Sequence, residues 1–164
     1  MVVSNFSYEY CDDIIKVFNK PDLMETFISN DRAYKRFIID DNSVNKTKYL
    51  WLWESVDNLI KSNLGVEYYL SIWIIVLKYN VGDYFSLHED NPNQTDNRCL
   101  SGGVELSNRS DFVGGDYIIK NTPSYFKRGE LVNHKVNDPH EITPLTSGTR
   151  WSLHFGINKI KNIL

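Results

Sequence analysis

Two residues that could bind a metal, His88 and Asp90, stand two positions apart in the run YNVGDYFSLHED, residues 79–90. On a β-strand, side chains i and i+2 leave the same face, so an imidazole nitrogen and a carboxylate oxygen would converge on one point. Together they are two thirds of the two-histidine, one-carboxylate set that holds non-haem Fe(II) and leaves positions open for chemistry. A His-x-Asp pair alone is weak, because most are incidental. His140 opens a later run, HEITPL, and supplies a third ligand if that strand lies across from the first. Arg150 follows in TRWSLHFGI, and Ser152 shares its strand face. A guanidinium fork with a hydroxyl beside it is the geometry a carboxylate prefers. A buried arginine also needs an anionic partner. A dicarboxylate co-substrate would satisfy it, with its other end chelating the metal.

The elements that must position these residues are read from pattern. A chain of 164 residues is long enough to bury a real core and is most simply one domain, 1–164. The N-terminal part, 1–65, is expected to be helical support, and 66–157 the β core. Val2 to Phe6 suits a short strand. Ser7 is positioned to cap a helix from about Tyr8 to Asn19, with Ile14, Ile15 and Phe18 on one face and Pro21 past its end. Residues 20–45 are polar and irregular around the apolar run Phe37-Ile38-Ile39, and read as a surface connection or a substrate-facing loop. A second helix is expected after Thr47 as N-cap, with Leu50, Trp53, Val56, Leu59 and Ile60 on its stripe and Gly65 as its stop.

From Val66 to Tyr79 the composition turns to Tyr, Ile, Val and Trp, which favours strand. Short strands are expected at 84–89, 98–107, 115–120, 130–134, 140–145 and 149–157. Helices followed by closely spaced short strands imply an α+β, mainly β chain built on a jelly-roll. The net charge of −3 excludes an overall basic field for nucleic acid or a membrane. The most apolar stretch, Ile72 to Leu77, is too short to span a bilayer. The N-terminus has no basic segment ahead of an apolar run, so no secretory signal is expected. The two cysteines, Cys11 and Cys99, fit no zinc spacing and read as reduced, buried thiols of a cytosolic compartment.

The segment from Tyr79 to Ile157 resembles the prolyl-4-hydroxylase-type branch of the 2-oxoglutarate- and Fe(II)-dependent dioxygenases. The family pattern is a Tyr before a Gly and an aromatic, His-x-Asp, a Gly-Gly-acidic strand, a distal His, and Arg or Lys about ten residues later. This chain has Tyr79, Gly82, Phe85, His88, Asp90, Gly114-Gly115-Asp116, His140 and Arg150. HEDNPN followed by Arg98-Cys99, and DPHEITP, are similar to the animal oxygen-sensing prolyl hydroxylases. LSNRSDFVGGD and TSGTRWSL are similar to microbial and phage members. The resemblance implies a double-stranded β-helix with N-terminal helices packed on one sheet. It implies that His88, Asp90 and His140 bind Fe(II), that Arg150 pairs with the distal carboxylate of 2-oxoglutarate, and that Tyr79 and Ser152 are its hydroxyl partners. The implied reaction consumes O2 and 2-oxoglutarate, with ascorbate as an optional reductant. It releases succinate and CO2 and hydroxylates an unactivated C–H bond, with a peptidyl proline in a peptide or protein as the first reading. The same chemistry on a small molecule or another side chain is the alternative, and a non-catalytic jelly-roll that retains a metal is a third. Retention of Asp90 favours hydroxylation over halogenation.

Two positions depart from the pattern. Glu105 falls where the oxygen-sensing enzymes set a second tyrosine on the co-substrate, so either the register is shifted or Tyr79 serves alone. Gly156 falls near a tryptophan that lies beside proline in those enzymes. The remaining residues have plainer readings. His134 and His154 are ordinary strand histidines, with His154 the better placed for a pocket because it shares a face with Arg150 and Ser152. Gly114-Gly115 marks a bulge or turn, or else a close substrate approach. Gly102-Gly103 marks close backbone approach. Arg98 reads as a solvated side chain or else a substrate contact, the tryptophans are core, and the loop Asn91 to Asn97 forms one rim of a substrate cleft.

Overall fold

The computed structural model describes residues 4–90 and 98–160. The chain opens with α1 (Tyr8–Phe18), β1 (Glu25–Ile28), β2 (Arg32–Asp40), α2 (Val44–Lys48) and α3 (Leu50–Leu64). Strands follow as β3 (Tyr68–Tyr79), β4 (Tyr84–His88), β5 (Arg98–Glu105), β6 (Phe112–Gly114), β7 (Tyr117–Ile119) and β8 (Thr122–Ser124). The last four are β9 (Leu131–Lys135), β10 (His140–Ile142), β11 (Leu145–Gly148) and β12 (Arg150–Lys159). The architecture is mainly β, as expected. One antiparallel sheet has the order β8-β7-β10-β4-β2-β3-β12-β5-β9, with β1 paired to β2, and a second pairs β11 with β6.

The helices pack on one face of this sheet. Ser7 caps α1, its Oγ accepting the Tyr10 N–H at 3.1 Å. The helix buries Cys11, Ile14 and Phe18. Thr47 does not cap the next long helix; it lies inside α2, and Tyr49 stands between the two helices without a side-chain cap. The Tyr49 ring is instead buried against Phe18 and Phe37. The buried stripe of α3 is Leu52, Val56, Leu59 and Ile60, whereas Leu50 is 43% exposed. Gly65 ends α3 at φ +116°, a backbone state that suits glycine.

The largest difference from expectation is in residues 20–45. They form the β1–β2 hairpin, and β2 lies in the main sheet between β4 and β3. The polar composition hid it because alternate residues of β2 face different surroundings. Phe37 and Ile39 join the helix-side core, while Tyr34 faces the other way. The expected strand at Val2 to Phe6 falls partly outside the described residues. Ser4 to Phe6 are not strand, and the Phe6 N–H donates to Gly129 O at 3.0 Å. The loop from Asn91 to Asn97 lies outside the described residues.

Two cores lie on opposite faces of the central strands. Ile74 and Val76 of β3, Val104 of β5, and Trp151, Leu153, Phe155 and Ile157 of β12 meet the helices. Leu77 and Tyr79 of β3 turn the other way and pack with Tyr34, Phe112, Ile142 and Leu145. The period-two pleat separates them. The glycines of β5 permit the close packing, since a Cβ at Gly102 would meet the Phe155 ring and one at Gly103 would meet Leu153 O, both under 3 Å. Leu52→Ala should therefore cost about 2–5 kcal/mol of stability in urea unfolding. Leu50→Ala, one turn-face away, should stay within about 0.5 kcal/mol.

Candidate active site

The second face of the sheet opens into a cavity of about 320 Å³. Its walls include Tyr79 from β3, His88 from β4, Glu105 from β5, Tyr117 from β7, His140 from β10, and Arg150, Ser152 and His154 from β12. The site residues expected from sequence are thus brought to one place, although they come from four strands.

The metal-binding candidates are set by backbone. Strand β4 ends at His88, so Asp90 lies past the strand rather than on it, contrary to the simple i, i+2 picture. His140 stands opposite His88 and Ile142 opposite Phe85, so β4 carries an extra residue between the two pairs. That bulge turns Phe85 and His88 to the same side, where their rings stack at 3.7 Å. His88 Nδ1 bonds Ser86 O at 2.8 Å, and His140 Nδ1 bonds Asp138 O at 2.9 Å. A carbonyl accepts only from N–H, so in each neutral ring the proton is on Nδ1 and the lone pair on Nε2. Asp90 Oδ1 lies 3.8 Å from His88 Nε2 and 3.9 Å from His140 Nε2. The three ligand atoms lie within 4.8 Å of one another.

Charge states suit a divalent cation. Burial pulls His88 down to about 4, so its ring is unprotonated at neutral pH. Asp90 is held below the ordinary carboxylate range. Burial works against its charge, but the neighbouring His154 and a hydrogen bond from Ser101 Oγ outweigh it. Two imidazole lone pairs and one carboxylate on one side of a point fit a non-haem Fe(II) site.

Arg150 is buried and lines the cavity. Its Nε donates to Glu105 Oε2 at 2.8 Å, and Glu105 Oε1 accepts the Ser107 N–H at 3.3 Å. Arg150 Nη1 is buried and, among the described residues, has no hydrogen-bond partner. The Arg150 Cζ lies 5.5 Å from the Tyr79 ring centroid. Ser152 pairs with Glu105 across β5 and with Leu77 across β3. Glu105 therefore lies directly on Arg150. Gly115 marks a turn beside it, at φ +60°, where a Cβ would press on Leu145 and on the Arg150 stem at 3.3 Å.

Sequence reasoning undervalued three neighbours. The His134 ring lies 4.1 Å from that of His140, with its Nε2 buried and unpartnered among the described residues. His154 lines the cavity, with Trp73 5.3 Å away. All four histidines of the chain thus gather around Asp90 or its neighbours. Tyr117 was not foreseen. Its ring lies 5.9 Å from His140, and burial pushes its hydroxyl pKa well up. Its alternate position in β7 after Gly114-Gly115 was the available signal.

Comparison of the sequence with family models and with curated proteins finds no match. Comparison of the structure does. A prolyl-4-hydroxylase from Pseudomonas putida aligns with TM-score 0.70 over 97% of this chain and 91% of its own, at 17% identity. The viral collagen prolyl hydroxylase of Paramecium Bursaria Chlorella virus-1, solved with 2-oxoglutarate (2OG), aligns with TM-score 0.60 over 94% and 92%, at 17% identity. A Trichoplax adhaerens prolyl hydroxylase, in complex with a hypoxia-inducible-factor peptide, aligns with TM-score 0.63 over 91% and 74%, at 18% identity. The chain has the jelly-roll fold of the 2OG-Fe(II) oxygenases. At these identities the likeness establishes the fold, and the His-Asp-His set is this chain's own.

Calorimetric titration of the protein with Mn(II) should show one site that Asp90→Ala abolishes. Ser101→Ala removes the hydroxyl that orients Asp90, and should weaken the same site by about 10- to 100-fold.

Proposed function

We propose that this protein is an Fe(II)- and 2-oxoglutarate-dependent dioxygenase that hydroxylates an unactivated C–H bond, with a peptidyl proline as the substrate group. The observation that carries the reading is one cavity holding both halves of the machinery. His88, Asp90 and His140 converge there, and a buried arginine with an unpartnered Nη1 lies beside them.

His88, Asp90 and His140 would hold Fe(II), and Arg150 would hold the distal carboxylate of 2-oxoglutarate. Tyr79 and Ser152 would flank it. The chemistry supplied at that centre is decarboxylation of 2-oxoglutarate by O2 to succinate and CO2, coupled to hydroxylation. The protein's own part is preorganisation. Ser86 O and Asp138 O hold the two imidazoles in one tautomer and one orientation. The apolar walls from Ile75, Leu77, Phe85, Val132 and Ile142 keep bulk water from the reacting centre.

For the substrate, the support is that the structural neighbours are prolyl hydroxylases, one of them bound to a peptide. Gly156 stands near where the resemblance places a tryptophan in the oxygen-sensing enzymes. The Arg98 stem lies across the space a Cβ at 156 would take, and the Arg98 guanidinium stands over Trp73 at 5.1 Å. Arg98 and Trp73 both line the cavity, which gives it a cationic and aromatic wall suited to a polar peptide. No helix among the described residues is long and apolar enough to cross a membrane. The free thiols Cys11 and Cys99 support a reducing compartment, and we place the protein in the cytoplasm.

Incubation with Fe(II), ascorbate and 2-oxoglutarate should yield succinate, and prolyl peptides should gain the mass of one oxygen atom. Turnover confined to free amino acids would move the substrate to small molecules. Absence of any 2-oxoglutarate turnover by iron-loaded protein would leave a non-catalytic metal-binding module. Arg150→Lys keeps the charge opposite Glu105 but loses the planar fork. It should raise the KM for 2-oxoglutarate by about tenfold or more while leaving metal affinity unchanged.

A further inference from the structure

The clamp arginine is already neutralised before any co-substrate arrives. Glu105 and Arg150 are both buried and joined at 2.8 Å. The other charged and titratable groups around Glu105 are few. Arg109, in the turn after β5, is bonded to Asp116 at 2.7 Å and to Phe112 O at 3.0 Å. Arg128 is engaged by Asp12 and by Leu106 O. Tyr79 of β3, Tyr117 of β7 and Cys11 of α1 complete the surroundings, and burial raises the pKa of each. Among the described residues, Arg150 is therefore the one guanidinium bonded directly to Glu105.

A dicarboxylic oxoacid would bring a second carboxylate to that guanidinium. The incoming group has a donor waiting, the unpartnered Nη1. Two carboxylates against one guanidinium leave an uncompensated negative charge in a buried site. Carboxylates placed this closely do not both stay ionised; one retains a proton, and the proton can bridge them. We propose that Glu105 and the distal carboxylate of a dicarboxylic 2-oxoacid share Arg150 with one proton between them, which makes Glu105 a specificity residue that couples co-substrate binding to proton uptake. The inference rests on the reading of Arg150 as the co-substrate clamp. Burial already pushes the Glu105 carboxyl above its ordinary range, with Arg150 opposing. A second anion on Arg150 adds to that upward push. A protonated Glu105 also becomes a donor, and its O–H can bond the incoming carboxylate.

The sign follows. Glu105 is ionised when paired only with Arg150 and protonated in the complex, so binding takes a proton from solvent. Affinity for 2-oxoglutarate rises as pH falls, by up to about tenfold per pH unit between the free and bound pKa of Glu105. A monocarboxylic oxoacid such as 2-oxobutyrate brings no second carboxylate and takes up no proton.

The test is calorimetry of the full chain loaded with Mn(II), which binds without turnover, titrated with 2-oxoglutarate in buffers of different ionisation enthalpy. Wild-type protein should take up about one proton per 2-oxoglutarate bound at neutral pH, and none with 2-oxobutyrate. Glu105→Gln should bind 2-oxoglutarate about tenfold more tightly at pH 7.5 with no proton uptake and no pH slope, because an amide oxygen still accepts from Arg150 Nε. Binding of 2-oxoglutarate to wild type without proton uptake overturns the inference and leaves the dioxygenase reading standing. That wild-type measurement decides even if the variant does not fold. Failure of 2-oxoglutarate to bind both Mn(II)-loaded proteins overturns the inference together with the role given to Arg150.

Discussion

The pairing of β3 with β12 sets the terms for the rest of the molecule. It is a long antiparallel ladder running from Arg150 opposite Tyr79 to Lys159 opposite Tyr68. A register shift falls between Phe155 and Ile157, and the period-two pleat of β12 lets one strand serve two environments. Trp151, Leu153, Phe155 and Ile157 enter the helix-side core. Arg150, Ser152 and His154 face the cavity. The apolar positions hold the strand rigidly enough to keep the polar ones in place. A one-residue slip would exchange the two sets and put a guanidinium among leucines, so the apolar face enforces the register of the site.

The cavity concentrates buried polar groups, and the structure compensates most of them in place. Arg150 has Glu105, Asp90 has Ser101, and the two imidazoles nearest Asp90 have backbone carbonyls. What stays unmatched is informative because a buried unsatisfied polar atom is costly. Arg150 Nη1 is one such atom and lies in the wall where a ligand would sit. His134 Nε2 is another, behind His140. Charge compensation also explains why a glutamate is tolerated at this buried position. An arginine buried alone would be unstable, and the pair is neutral.

Several features were legible in the linear chain because they depend on local spacing. Ser7 before an amphipathic run marked α1, and Gly65 marked the end of α3. The β-rich run after Val66 and the short strands beyond it marked the mainly β body. The types His, Asp, His and Arg carried their chemistry with them, and so did Glu105 as an anion that would oppose a carboxylate.

Tertiary structure decided what spacing cannot. It placed the polar segment 32–40 inside the sheet, because what makes Phe37 and Ile39 core is contact with α1 and Tyr49, distant in sequence. It set Asp90 beside two imidazoles through a bulge in β4 and the end of that strand at His88, where the alternation rule needs a continuous strand. It put Glu105 on Arg150, because the β5–β12 register is fixed by Gly102 and Gly103 packing beneath Phe155 and Leu153. Residue types are written in the sequence. Which of them share a dry space depends on long-range pairing, whose register is enforced by packing on the opposite face.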